Sequence, residues 1–508
     1  MQTSKHLFTI IGIAILACFL IYYPVFFADY AFTDEAHQLW FNNDGSNFIM
    51  FLNQGRLITG WLIDGAFGNM DSVSDIKWLR IFSFSSMVVF MVLYGVLSKK
   101  LFDDLKIDGK VWALSVVFIP CSLSAAIYVG WASCAEIFLA TLAAFLSGYL
   151  LFRKVNSKET YLKVSTLTLA VSLFFAMCSL FTYQTAFGFF LLPFFLYFIK
   201  NKSAKIDRTI IIGVGFYIAC YVVYYFLFRY SLKVYNVQPS TRATINIDPL
   251  GKLSFFFSYP LAQAFSFNFL YNARSILSQI FYPLVILFWM ISLFIRIGKK
   301  NVGKIIGHIL ICFALLILTY LPLMISIENF ASYRTMFALN FLVFVMVCDF
   351  VISFLRTNRL RNIVAALAGL IFCAVAFYNY HINFSKPLEN EYAALRSYFM
   401  NNYEERTEAI FFVRPPMNLF KSAFGVNYYT DEFGYPSTEK DWTPEPLLKQ
   451  LVFEKTKSRE EAKQVLLDVS SATQSPAFSV TDTAAKVLII DMQAVFNAYW
   501  KQRDKSKN

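Results

Sequence analysis

Residues 7–27, LFTIIGIAILACFLIYYPVFF, form an apolar run, and residues 28–40, ADYAFTDEAHQLW, follow it at once. Twenty-one residues without a charge are long enough to cross a bilayer as a helix. No convincing small-x-small cleavage site follows the run, so it reads as an uncleaved anchor and not as a removed signal peptide. The polar stretch behind it is the first segment of the chain to emerge on the far side. Within it, Asp34 and Glu35 form the first pair of adjacent acids presented there.

The rest of the chain repeats the pattern. Similar runs lie near 79–98, 111–127, 134–152, 164–182, 185–199, 209–228, 277–295, 305–325, 335–355 and 362–380, which makes eleven in all. The 508 residues are 57% hydrophobic and 15% charged, with a mean hydropathy of +0.52. Soluble domains carry about a quarter charged residues, so a water-soluble globule, a disordered chain and a collagen-like chain are excluded. The runs are continuous and do not alternate, which excludes a β-barrel. The fold class expected is an all-α polytopic membrane bundle of about 11 spans with a C-terminal extracytoplasmic α/β domain.

Charge sets the orientation. Of the net +12, all the excess lies in residues 1–380, with 29 Lys+Arg against 16 Asp+Glu, while residues 381–508 hold 16 against 17. With the N-terminus in the cytoplasm, the short segments 1–6, 99–110, 153–163, 200–208, 296–304 and 356–361 carry 20 of those 29 basic residues. That is the positive-inside pattern of a multi-pass protein, and it assigns the positive charge to the membrane and not to a nucleic acid partner. Two outer loops are long, 28–78 and 229–276. In the first, Gly55–Phe67 (GRLITGWLIDGAF) fits equally a helix lying at the membrane surface and an ordinary packing helix.

Residues 381–508 read as a separate soluble region, with helices at Glu389–Tyr403, Thr443–Lys455 and Ser458–Val469 and strands at Ala409–Val413 and Lys486–Asp491. The eight cysteines all fall in apolar segments, with no CxxC and no zinc spacing. Cys121 and Cys134 are close enough in sequence to face each other across a short turn.

Chemistry concentrates on the outer side. Asp34–Glu35, with His37 and Gln38 behind them, is a candidate general base. The alternative is helix capping, with Thr33 or Asp34 as N-cap and Glu35 in the first turn. Arg56, in Asn53-Gln54-Gly55-Arg56, presents a planar fork suited to phosphate. Arg229 follows the seventh span, Arg334 opens the tenth, and Arg242, Lys252 and Arg274 lie in the second long loop. Snorkelling toward lipid phosphate explains any one of them. Several converging on one face point to an anionic lipid-linked group. Glu136, Tyr183 and Gln184 add an acid, an aromatic ring and an amide near the same surface, as a sugar site would use. No metal-ligand cluster is evident.

These residues resemble a known family. An acidic pair just after the first span, in a long outer loop with surface helices, is similar to the GT-C superfamily of integral-membrane glycosyltransferases. Thr33-Asp34-Glu35-Ala36, then Asn53-Gln54-Gly55-Arg56-Leu57, then Tyr183-Gln184 resemble the bacterial serotype-converting O-antigen glucosyltransferases. The likeness in layout covers residues 1–380. Asp-Glu stands here where two aspartates are expected in that branch, and Asp-Glu-x-His is also similar to the protein O-mannosyltransferases.

The resemblance implies a periplasmic site in a bacterial inner membrane and a sugar, glucose first, carried on undecaprenyl phosphate. It implies inverting transfer to a polysaccharide acceptor such as O-antigen. No nucleotide sugar or other cofactor is required, and a divalent ion is compatible with the chemistry but not demanded by it. Asp34 maps onto the catalytic position with Glu35 beside it; Arg56, Arg334 and Arg229 would hold the donor phosphate, and His37, Gln54, Glu136, Tyr183 and Gln184 would touch substrate. The alternatives are transfer of mannose or an amino sugar to protein or lipid by the same fold, or a lipid-linked-oligosaccharide flippase or polymerase.

Overall fold

All eleven apolar runs are helical, but they are not equally long. The computed structural model describes residues 2–156, 165–201, 206–245, 248–272, 275–297, 302–404, 406–429, 432–471 and 486–505. Among the described residues, nine helices are long and apolar enough to cross a membrane. The run at 164–182 becomes a helix over Thr166–Thr182, 17 residues long. The run at 185–199 splits into a 3-10 stretch, Gln184–Leu191, and an α-helix, Leu192–Asn201. Two local features account for the split. Pro193 fits the first turn of a new helix. Gly188 presses its backbone on the Thr319 carbonyl, where a β-carbon would collide.

The bundle has a centre and a periphery. Gly109–Gly130 is enclosed on nearly every side, whereas Ser278–Ile295 and Asn358–Tyr380 keep most of their apolar surface exposed. Phe8, Phe174, Phe226 and Leu370 all point outward. Apolar rings on the outside of a long helix are what a hydrocarbon solvent accepts and water does not. Inside, buried hydroxyls satisfy helix ends. The helix Gly109–Cys121 stops at Ser122, and Tyr22 donates to the carbonyl of Pro120 at 2.7 Å. Ser147 donates to Ser172 O at 2.7 Å, tying two helices together. Cys121 faces Cys373, Sγ to Sγ 3.6 Å, and not Cys134; all eight cysteines are free thiols.

The first long loop folds into three short helices, Asp34–Trp40, Ser46–Leu52 and Leu57–Phe67. Asn42 clamps them by donating to the carbonyls of Phe67 and Met70, both at 2.9 Å. Leu57–Phe67 buries Thr59, Ile63 and Phe67 while Trp61 stays exposed, so one face packs and the other looks outward. In the second loop, the helix expected to end at 228 continues to Tyr235 and stops at Asn236, whose φ of +53° is a left-handed cap. Arg229 therefore lies within a helix. Arg274 lies outside the described residues.

Around 380 there is no break in the chain. Asn358–Tyr380 passes through a π-helical turn, His381–Ser385, into Lys386–Asn402, one continuous helical rod. Beyond it stands a three-stranded parallel sheet, ordered β2–β1–β3, with β1 at Thr407–Val413, β2 at Leu466–Ser470 and β3 at Lys486–Asp491. Ala409 pairs with Leu466 on one side and Val487 on the other. The expected helix Ser458–Val469 is shorter, Arg459–Gln464, because Leu466–Ser470 pairs along the apolar β1 and becomes its edge. Here strand pairing overrides local helix propensity.

This region docks on the first loop. Arg459 donates to Asn42 Oδ1 at 2.8 Å, Gln450 to Asp71 O at 2.7 Å, and Val73 N donates to Glu454 Oε1 at 2.9 Å. The close approach at Gly188 yields a test. Gly188→Val is expected to separate the helix pair at Thr319, cost about 1–3 kcal/mol or more, and lower the melting temperature of detergent-purified protein. An unchanged melting temperature would show that the contact is not tight.

Candidate functional site

Adjacent residues on a helix point about 100° apart, so Asp34 and Glu35 cannot share a task by default. They do not share one here. Glu35 is fully buried: its Oε2 accepts from Arg80 Nη2 at 2.5 Å and from Phe32 N at 2.8 Å, and its Oε1 accepts from Ala132 N at 2.5 Å. Arg80, equally buried, also donates to Gly130 O at 2.9 Å and Tyr30 O at 3.0 Å, and lies 3.9 Å over the Tyr30 ring. Glu35 thus fastens the loop to two helices. It does not line the cavity described below, which corrects the expectation of a catalytic role.

Asp34, one residue earlier, is partly exposed and points into that cavity. It begins its helix without help from Thr33, whose hydroxyl makes no capping bond. Thr33 has φ +46°, a conformation that strains a β-branched residue. Ser437 holds it there: the Ser437 hydroxyl accepts from Thr33 N at 2.7 Å and donates to Ala31 O at 3.0 Å. The capping reading therefore fails for Thr33, and the strain is concentrated beside the exposed carboxylate.

The cavity has a volume of about 320 Å³. Asp34, Gln54, Arg56, Tyr183, Gln184 and Arg334 all line it, six candidates brought together from four parts of the chain. Aromatic and aliphatic side chains complete its lining, among them Tyr221, Tyr225, Phe228, Leu323 and Ile325. Gly55, between Gln54 and Arg56, has φ +81° and packs on the Tyr224 hydroxyl, where any β-carbon would collide. Tyr224 donates to Gly55 O at 3.0 Å, and Gln184 donates to Gln54 O at 2.8 Å.

The two arginines differ in how fully they are compensated. Arg56 donates to Glu136 Oε1 at 2.8 Å and to Thr182 O at 3.2 Å, and lies 4.7 Å from both the Phe51 and Tyr183 rings. Glu136 does not line the cavity; it holds Arg56 from behind and also accepts from Thr59 at 2.9 Å. Arg334 lies over the Trp131 ring at 4.5 Å and the Phe330 ring at 5.2 Å. Its nearest carboxylate, Glu432, is 3.9 Å away and is already engaged by Ser332, by Tyr333 N at 2.9 Å and by Arg334 N at 3.3 Å. Of the two, only Arg56 meets its carboxylate at hydrogen-bond distance through the guanidinium. Arg242 adds a third guanidinium at the mouth, 3.4 Å from Glu328, with both side chains exposed.

Besides Glu35 and Glu136, two further expected site residues lie elsewhere. His37 packs on Phe41 with the rings tilted and their centroids 4.5 Å apart, away from the cavity, and burial lowers its pKa below the ordinary histidine value against the pull of Asp34 and Asp44. Arg229 is exposed on its helix and does not reach the cavity. Conversely, sequence reasoning missed Arg80, Glu432 and Trp442. Trp442 donates its indole N–H to Asp34 Oδ1 at 3.0 Å from 408 residues away. No local pattern signals such a partner. Among the described residues, no group of three or more His, Cys, Asp or Glu is placed to hold a metal ion.

The buried pair gives a direct test. Arg80→Met should leave Glu35 charged and uncompensated, costing about 3–5 kcal/mol, seen as a large drop in melting temperature. Glu35→Leu with Arg80→Met should recover only part, because the amides of Phe32 and Ala132 lose their acceptor. Equal stability of all three proteins would refute the structural role. Comparison with models of protein families and with curated proteins finds no match to this chain.

Proposed function

We propose that the protein is a membrane glycosyltransferase that moves a sugar, glucose first among candidates, from undecaprenyl phosphate to a polysaccharide such as O-antigen. In this reading the two shorter helical segments also cross, giving eleven passes. The N-terminus is then cytoplasmic, and the cavity and the C-terminal region face the periplasm of a bacterial inner membrane. The observation that carries the reading is the grouping of Asp34, Arg334 and Arg56 on one cavity that aromatic and aliphatic side chains also line.

Each part then has a task. A sugar hydroxyl is a poor nucleophile, and Asp34 takes its proton as the new bond forms. Attack from the face opposite the phosphate inverts the anomeric carbon. The leaving group is a polyprenyl phosphate whose charge grows as the old bond breaks. Arg334 binds that charge more strongly in the transition state than in the ground state, which is the condition for catalysis. Arg56, held by Glu136, contributes the second contact. The aromatic wall accommodates the first isoprene units.

Two outcomes test this. Asp34→Asn should lower transfer from undecaprenyl-phosphate glucose by about 10²–10⁴-fold while donor binding, read by thermal shift, stays within a factor of about three; full activity would remove Asp34 as the base. Arg334→Ala should cost about 10²–10³-fold in turnover without loss of folded protein, whereas Arg56→Ala should also lower the melting temperature, because Glu136 then stays buried without its cation. Equal behaviour of the two variants would contradict the difference in compensation.

A further inference from the structure

Asp34 is approached from one side by a segment of the C-terminal region that is held along its length. The amides of Ser437 and Thr438 donate to the buried carboxylate of Glu391 at 2.8 Å and 2.9 Å. Arg414 donates to Glu439 O at 2.8 Å, and the Tyr435 hydroxyl bonds the Glu439 carboxylate. At the end of this segment stands Trp442, 47% exposed, its indole N–H fixed on Asp34. A side chain that is anchored by its polar edge while its ring remains open to solvent is pre-organised to receive something.

The chemistry of the surroundings narrows what it receives. The Lys440 ammonium sits 4.4 Å from the Tyr435 ring and 5.4 Å from the Trp442 ring, so the cation for this aromatic pair is already supplied and the remaining exposed surface of the indole is what a ligand would meet. A purely apolar partner would leave the Asp34 carboxylate beside it without use. A pyranose satisfies both: its C–H face is electropositive and stacks on the negative face of the indole, and its hydroxyls reach the carboxylate. We infer that Trp442 is the stacking platform of an acceptor subsite, holding one saccharide ring so that a hydroxyl meets Asp34. That the ligand is an acceptor rests on the transferase reading; the location of the subsite rests on the contacts of Trp442 itself.

The test uses the full-length protein in detergent and an array of immobilised bacterial surface oligosaccharides as the probe. Wild type should bind at least one saccharide class, Trp442→Ala should bind that class at least ten-fold more weakly, and Trp442→Phe, which keeps a ring, should retain most of the binding. Trp61→Ala, which removes an exposed indole away from the cavity, should bind as wild type. Trp442→Ala should melt within a few degrees of wild type, because the ring it loses is half exposed. Asp34→Asn should still bind, since asparagine keeps an acceptor for the indole. Wild type that binds no saccharide on the array, or Trp442→Ala that binds as wild type does, overturns the inference. Transfer surviving in Asp34→Asn while Trp442→Ala loses binding would instead defeat the assignment of the base and leave the platform standing.

Discussion

The buried pair of Glu35 and Arg80 is the constraint on which the first loop depends. Taking two charges out of water costs several kcal/mol per ion, and their attraction offsets this only where the remaining hydrogen-bonding capacity is also met. Here most of it is: Glu35 accepts from two backbone amides and Arg80 donates to two backbone carbonyls, which join Phe32, Ala132, Tyr30 and Gly130 into one knot. Once that knot is tied, the helix starting at Asp34 has a fixed rotation. The neighbouring carboxylate must then face the cavity.

Around the cavity, the arrangement separates charges that anchor from charges that remain to act. Glu136 occupies Arg56 at hydrogen-bond distance, whereas Glu432 spends its oxygens mainly on the hydroxyl and amides of residues 332–334. The buried acids thus orient the arginines to different degrees. Nearby aromatic rings complete both settings, Trp131 and Phe330 for one and Phe51 and Tyr183 for the other. In such a partly dry site a guanidinium is held by its rings and keeps its donors directed inward.

Much of this was legible in the chain. Apolar runs locate helices because a bilayer span demands some 20 apolar residues in sequence. Six candidate site residues meet at one cavity, and each was visible in the sequence as a polar residue in a loop or at the end of an apolar segment. What was hidden depends on distance. Arg80 lies inside an apolar run with nothing nearby to mark its partner, and Glu432 and Trp442 meet their targets across about 100 and 408 residues of sequence. Glu35 was misassigned because adjacency suggests shared work, while helix geometry turns the two side chains apart. The strand Leu466–Ser470 escaped detection because its pairing with β1 is set by tertiary structure and not by its own composition.

The uninterrupted rod from Asn358 to Asn402 has a mechanical consequence. Its last 17 residues extend roughly 25 Å beyond the π-helical turn, and Glu391 on that stretch grips the segment leading to Trp442. Tilting the rod about that turn by about five degrees would displace Glu391, roughly 9 Å along it, by under about 1 Å. Any lean of this helix is thereby passed to the segment that carries Trp442 beside Asp34.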